Sequence, residues 1–520
     1  MSLSVIPAYQ PHLSPNIPKV VNNKEYEEFY SILTQINKNL IKGKIEEEFV
    51  RLCLEHKEKE LVEVIEEENK EKEENNVNAA KKLNSGAKKR MSKTARRALR
   101  CNIGQKLKGE SFRDFSNSLA DSRLWQWFCL IDELAVIKPP SKSTLERYDK
   151  IVPDSIIEKV RDQLTRKAME SAPSEEEHPL GLVEPINIDR TFVDTSCLKA
   201  NIHFPVDWVL LRDIVIRLIG IIVVIRKHKL FNRMSHPESF IKEINNLCIE
   251  MTHTRRKENA KQERKRILRK MKSIVNTVRD HGKRYRDLLD EDWRKTDLSK
   301  KEKDHLLRRL DKVLGLLPQA VKQAHERIIG GRQVLNKDKI LSLHETEIHV
   351  IVRGKSGAEV EYGNTWVIAE QESGIIIYSK LIKDQAKADC HLLEPALETI
   401  AGTFGSYPGG VGCDRNFDST DVRAYLLQKG IYNGVCPRDS KMLQERLKEE
   451  TFCHYQTRRS QTEGRIGIIK NGFLDGKLRS KGFLHRELGV GWAVLAHNLW
   501  ALARLAIAQR KALEREAKAA

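Results

Sequence analysis

The chain has 520 residues, of which 40% are hydrophobic, 6% aromatic and 32% charged. That balance excludes a membrane-embedded protein, and the length predicts two or three domains with a sizeable core. Lys and Arg number 92 against 73 Asp and Glu, a formal charge of +19 that points to a polyanionic partner, nucleic acid ahead of a membrane surface.

The nine cysteines include no Cys-x-x-Cys pair of the kind that holds zinc, and they read as reduced, buried, intracellular residues. The most apolar stretch, 206–225, is interrupted by Asp207, Arg212, Asp213 and Arg217, so it reads as a buried helix and no membrane partner is expected. The first thirty residues show no signal-peptide pattern. A cytoplasmic, DNA-associated protein is the expectation.

Charge changes sign early in the chain. Residues 42–76 carry thirteen Glu against seven Lys and Arg, and 81–100 carry nine basic residues and no acidic one. The acidic part, with Leu52, Leu54, Leu61, Val62 and Ile65, predicts a solvated surface helix. The basic part, opening on Ser85 and Gly86, predicts a linker or arm able to touch phosphates. Short helices follow at 111–119, 122–130 and 145–151, the last introduced by Pro140, Ser141 and Ser143, which are helix-start residues. Their spacing fits a helix-turn-helix-like unit.

At 186–194 the pattern turns to alternation, Ile186-Asn187-Ile188-Asp189-Arg190-Thr191-Phe192-Val193-Asp194, and predicts a strand closed by Asp194. Positions 205–339 read as helical and very basic: 255–286 holds fourteen Lys and Arg against three acidic residues. Strands are predicted at 347–353, 365–371 and 375–382, the last two joined by Glu372-Ser373-Gly374. A helix at 392–401, a strand at 410–413, a helix at 419–429, a strand at 434–437 and helices at 461–471 and 489–516 complete the chain. The last presents Trp492, Leu495, Leu499, Leu502, Leu505 and Ile507 on one face.

With the helical stretch removed, the order of elements resembles the RNase H-like α/β core, whose first strand, fourth strand and last helix each carry a carboxylate. Asp194, Asp414 and Glu463 stand at those places. On a helix, positions four before and seven after a residue share its face, so Arg459, Glu463 and Lys470 form one stripe. Plainer readings exist for each. Ser460-x-x-Glu463 also fits a capping box, Asp189 competes with Asp194, and Asp418 and Asp421 compete with Asp414 but read as helix caps. Asn201 and His203 read as structural before they read as site residues.

At these residues the chain resembles insertion-sequence transposases of the Asp-Asp-Glu class, in the group with a Tyr-Arg-Glu-Lys signature. Arg459-x3-Glu463-x6-Lys470 meets the signature from its arginine onward. Val193-Asp194-Thr195-Ser196, Asn201-Ile202-His203-Phe204-Pro205-Val206-Asp207, Asp414-Arg415-Asn416-Phe417-Asp418-Ser419 and Arg353-Gly354-Lys355-Ser356-Gly357 match further blocks. The chain departs in two places. Gln456 stands where the signature tyrosine belongs, with Tyr455 one position off, and the basic insertion falls between the first and second strands.

The resemblance implies an α/β protein with an RNase H-like mixed-sheet catalytic core split over 184–206 and 341–488. Around it come an acidic helical segment at 1–80, a basic arm and helix-turn-helix-like DNA-binding region at 81–180, a basic helical insertion at 207–340 and a C-terminal helix at 489–520. It implies metal-dependent cleavage and strand transfer of double-stranded DNA by a homodimer, with Asp194, Asp414 and Glu463 holding two Mg2+ ions or substituting Mn2+. Arg458, Arg459, Lys470, Arg255, Arg256, Lys265, Arg266 and Arg269 are expected on DNA phosphates. The runner-up is a transposase-derived DNA-binding protein without strand-transfer activity.

Overall fold

The computed structural model describes residues 20–71, 83–131, 137–172, 177–202, 204–355, 358–385, 387–476, 478 and 480–519, without the side chains of 64–71, 255, 353–355 and 358–359. His203, Ser356, Gly357 and the end of the acidic segment past 71 therefore lie outside the described residues. The protein is mixed α/β, 67% helical, with one mixed six-stranded sheet.

Among the described residues seven α-helices precede the sheet: α1 (Lys24–Lys42), α2 (Ile45–Glu71), α3 (Ser85–Lys108), α4 (Phe112–Asp121), α5 (Arg123–Phe128), α6 (Lys142–Asp149) and α7 (Asp154–Met169). The basic stretch expected as an arm is most of α3, and this corrects the sequence reading. Lys, Arg and Ala are strong helix formers, Asn84 caps the N-terminus by accepting from Ala87 N at 2.7 Å, and Gly109 ends the helix at φ 63°. Ala95, Leu99 and Ile103 are buried. Arg100 is buried too: it ion-pairs with Glu46 of α2 and donates to Asn37 Oδ1 and Phe128 O. The acidic and basic runs thus meet each other inside the fold. The short helices α4, α5 and α6 stand where expected, each behind a serine cap at Ser111, Ser122 or Ser141.

The first strand, β1 (Arg190–Lys199), begins and ends later than the sequence predicted, because the β-forming run continues through Thr195, Cys197 and Leu198. Asp194 is consequently in mid-strand, and Asp189 precedes the strand, exposed. Next come α8 (Asp207–Lys227), α9 (Pro237–His253), α10 (Ala260–Asp292) and α11 (Lys300–Ala324). These four bury an apolar core of their own, centred on Leu211, Ile214, Leu218, Val275 and Leu310, so the insertion is a self-contained helical unit. Ser299 and Glu302 form a reciprocal capping box at the start of α11.

The remaining elements are β2 (His349–Lys355), β3 (Ala358–Gln371), β4 (Ile376–Leu381), α12 (Cys390–Phe404), β5 (Gly410–Cys413), α13 (Thr420–Gln428), β6 (Tyr432–Val435), α14 (Ser440–Arg446), α15 (Glu450–Ile468) and α16 (Phe483–Ala519). The sheet runs β2-β3-β1-β5-β6, with β4 also on β3. β3 is antiparallel to β1, β2 and β4, whereas β5 is parallel to β1 and β6. Alternate residues face opposite sides. Val193, Val367, Ala369 and Val411 meet α12 and α13 on one face. Leu198, Trp366, Ile368 and Ile376 meet α16 and the N-terminal helices on the other.

α16 is the hub of that second core. Asn498 accepts from Ile376 N at 3.0 Å and donates to Ile376 O at 2.8 Å, pinning α16 to β4, while Trp492 Nε1 donates to Asp149 O at 3.0 Å and ties it to α6. Trp492, Leu495, Leu499 and Leu502 are fully buried. Among the described residues only this helix is long and apolar enough to cross a membrane, and 72% of its apolar window is inside the fold. Its apolarity is used in packing.

Candidate active site

Strand register brings two of the three carboxylates together. Phe192 pairs with Gly412 across the parallel β1–β5 ladder, so two residues further on Asp194 and Asp414 emerge side by side on the same face. α15 covers that face and contributes Glu463. This helix starts well before the predicted 461, which places Glu463 in its interior. Ser460 Oγ donates back to Thr457 O at 2.7 Å, so no capping box forms. Asp194, Asp414 and Glu463 line one cavity of about 500 Å3, together with Thr195, Ser196, Asn416 and Lys470.

The carboxylates differ in surroundings. Asp194 is 8% exposed and accepts from Thr195 N at 2.7 Å. Its pKa is pushed up to about 7, first by burial and then by the charges of Asp414 and Glu463, against the lowering effect of the Thr195 hydrogen bond and Arg459. Asp414 accepts from Asn416 N at 2.9 Å and Asn416 Nδ2 at 3.3 Å. Glu463 is largely exposed and accepts from Arg459 Nη1 at 3.3 Å, one turn back on α15.

Carboxylates crowded in one cavity, two of them helping to raise the pKa of the buried Asp194, are the donor type that a hard divalent cation neutralises. They fit Mg2+ in kind. Among the described residues no three His, Cys, Asp or Glu side chains converge closely enough to hold an ion as they stand. Mg2+ keeps several waters, so a cavity of this size leaves room for them between the carboxylates.

The expected cations divide. Lys470 follows α15 in a π-type turn over Ile469–Phe473, lines the cavity and donates to Ser196 Oγ at 2.6 Å. Arg459 lies beside Glu463. Arg458 is corrected: it is 6% exposed, its guanidinium donates to Glu370 Oε1, Gln371 O and Glu372 O, and it stacks 4.9 Å from the centre of the Phe192 ring. A side chain so committed is not available to a phosphate.

Tyr455, the near miss for the signature tyrosine, is buried against Phe192 and Tyr432. A Cβ on Gly434 would stand 2.8 Å from its ring, so glycine there makes room for it. Gln456 instead ties α15 to the sheet, Nε2 donating to Gly434 O at 2.6 Å and Cys413 O at 3.3 Å.

In the insertion, Arg256 and Arg269 are exposed and Lys265 is half-buried. Arg266 is exposed but ion-paired with Glu250 and Glu263, and the side chain of Arg255 lies outside the described residues. Lys265, Arg266 and Arg269 lie on α10 outside its buried set of Ile267, Met271, Ile274, Val278 and Tyr285, and Arg256 lies in the turn before it. They are distant in sequence from the cavity and none lines it.

Among the polar cavity residues, Ser196 and Asn416 entered the sequence reading only inside matching blocks, without a role of their own, and Asp389, just ahead of α12, did not enter it. Ser196 has the signal of alternation, two positions after Asp194. Asp389 has none. Comparison with family models, curated proteins and solved structures gave no match for this chain.

Proposed function

We propose that the protein is a DNA transposase with an RNase H-like catalytic core, acting on the terminal inverted repeats of an insertion sequence. The observation that carries this reading is the meeting of Asp194, Asp414, Glu463 and Lys470 in one cavity, with Asp194 on β1 and Asp414 directly after the parallel neighbouring strand β5. The strand order β4-β3-β1-β5-β6, with the first three antiparallel, supports it as well. Two bound Mg2+ ions, or Mn2+, supply activation of the attacking oxygen and neutralisation of the leaving oxygen in phosphodiester chemistry.

Asp194, Asp414 and Glu463 hold these ions, and Asn416 steadies the Asp414 carboxylate through both its backbone and side-chain nitrogens. Lys470, anchored by Ser196, meets a phosphate at the cavity edge, and Arg459 ion-pairs with the Glu463 carboxylate from one turn back on α15. The basic face of α10 binds duplex phosphates without reading sequence, giving salt-sensitive affinity. Base reading at the element ends belongs to the α4–α6 unit, and a homodimer synapses two ends.

A labelled duplex carrying the inverted repeat that flanks the gene, incubated with Mg2+ or Mn2+, tests the proposal. Nicking at the repeat boundary is expected, with Asp194→Asn and Glu463→Gln slower by roughly a hundredfold or more while binding persists. Cleavage that survives Asp194→Asn rejects the triad. The second reading, a transposase-derived DNA-binding protein without strand transfer, draws on the carboxylates' failure to converge. Tight, salt-sensitive binding with no cut product would select it.

A further inference from the structure

On the buried side of α15, away from the cavity, lies a polar cluster that the chemistry above does not use. Glu370 of β3 is fully buried. Its Oε1 accepts from Arg458 Nη1 at 2.9 Å and Thr462 Oγ1 at 2.7 Å, and its Oε2 accepts from Arg465 Nε at 2.7 Å. All three donors come from α15, from positions that share one helical face across two turns. Arg458 extends the grip by donating from Nε and Nη2 to Glu372 O at 3.0 and 2.8 Å.

Geometry makes this cluster a register mark. A buried carboxylate has to keep its partners, and two guanidiniums satisfy it only in a narrow range of orientations. Rotating or sliding α15 would break several bonds together. Gly374 belongs to the device: it turns the β3–β4 connection at φ +84°, and a Cβ there would stand 2.1 Å from Arg465 Nη2, so only glycine leaves the slot through which Arg465 reaches Glu370. Glu370 pairs across the ladder with Phe192, and Asp194 pairs with Ile368, so the cluster lies one pleat from the first aspartate on the same face of the sheet. Glu463 follows Thr462 directly, about 100° further round the helix.

We infer that Glu370 is a positioning residue for Glu463: gripped by Arg458, Thr462 and Arg465, its carboxylate fixes the rotation of α15 that turns Glu463 toward Asp194 and Asp414. The inference rests on the metal-binding role proposed for those carboxylates. It assigns a part to the cluster beyond stability, since the residue it serves lies on a different face of the helix.

Two measurements on the full chain test this, neither of them cleavage. In hydrogen–deuterium exchange, Glu370→Gln is expected to raise the rates of α15 amides roughly tenfold while β1 and β3 stay protected. In Mn2+ titrations followed by electron paramagnetic resonance, Glu370→Gln should weaken binding by about tenfold, as loss of an outer-shell partner does. Combined with Glu463→Gln it should weaken binding no further than Glu463→Gln alone, because both act through one ligand. Should Glu370→Gln not fold, Thr462→Val, which removes one bond, and Gly374→Ala, which displaces Arg465, take its place.

Folded variants with unchanged α15 exchange overturn the inference, and so do losses in Mn2+ affinity that add in the double variant. If the native protein binds no Mn2+, the metal site is rejected and Glu370 loses the positioning role, even where exchange shows that it holds α15. If Mn2+ binds and responds as expected but no DNA is cut, the positioning role stands and the transposase reading falls.

Discussion

Arg458 and Arg459 are neighbours in sequence with different surroundings, one buried on Glu370 and one half-buried beside Glu463. Arg458→Ala is expected to destabilise the protein by about 3–5 kcal/mol, because it strips a partner from a buried carboxylate. The denaturant midpoint measures this. Arg459→Ala should change stability by under about 1 kcal/mol, since it ion-pairs with the largely exposed Glu463, and should instead slow cleavage. Sequence could not separate the two. Adjacent helix residues differ by about 100° in direction, and assigning that direction needs the helix phase, which a start placed at 461 instead of Glu450 obscured. That Asp194, Asp414 and Glu463 share one cavity was easier to anticipate, since each belongs to a run of matching residues, whereas Asp389 stands alone.

At the scale of elements, periodicity locates most helices and strands, and charge misleads at α3. Nine basic residues in 81–100 suggest an arm, yet Ala95, Leu99 and Ile103 carry the four-residue spacing of a buried face. The partner that neutralises Arg96 and Arg100, Glu46, lies far back in the chain, and no local pattern reveals such a pairing. α10 is the contrasting case, a basic helix whose outer face stays largely in solvent. Replacing Lys265 or Arg269 by Ala should lower the slope of log affinity against log salt for duplex DNA by about 1 each. Arg266→Ala should lower it less, since Arg266 already pairs with Glu250 and Glu263. Fluorescence anisotropy over a salt series distinguishes them, and equal slopes for all variants would remove DNA from this face.

Over the whole molecule, the sequence suggested separable blocks, and the packing joins two of them. The N-terminal helices and α16 share one core, and at their junction Asp154 of α7 faces Gly491 of α16, where a Cβ would stand 2.0 Å from Asp154 Oδ1. That oxygen is buried without a partner. Burial first, then the charges of Glu487 and Glu158, push the Asp154 pKa up to about 7. The folded state therefore holds this proton more tightly than the unfolded chain, and the stability it contributes is full below about pH 4 and lost as pH rises to about 7. Asp154→Asn should match the native protein near pH 4 and exceed it at pH 8 by on the order of 2–4 kcal/mol, read from urea unfolding at the two pH values. Equal stability at both would contradict the assignment.

The shared core also sets an order of events during synthesis. Residues of α1–α7 leave the ribosome well before the helix that completes their interior, Phe483–Ala519, is translated. At roughly 5–20 residues per second the early helices wait on the order of half a minute with an apolar side uncovered. Chains stalled ahead of Phe483 should be cut readily by protease within α1–α7, while the insertion, which buries its own core, should already resist. The N-terminal helices thus mature only once Phe483–Ala519 has emerged, and until then their solubility depends on whatever chaperone covers that surface.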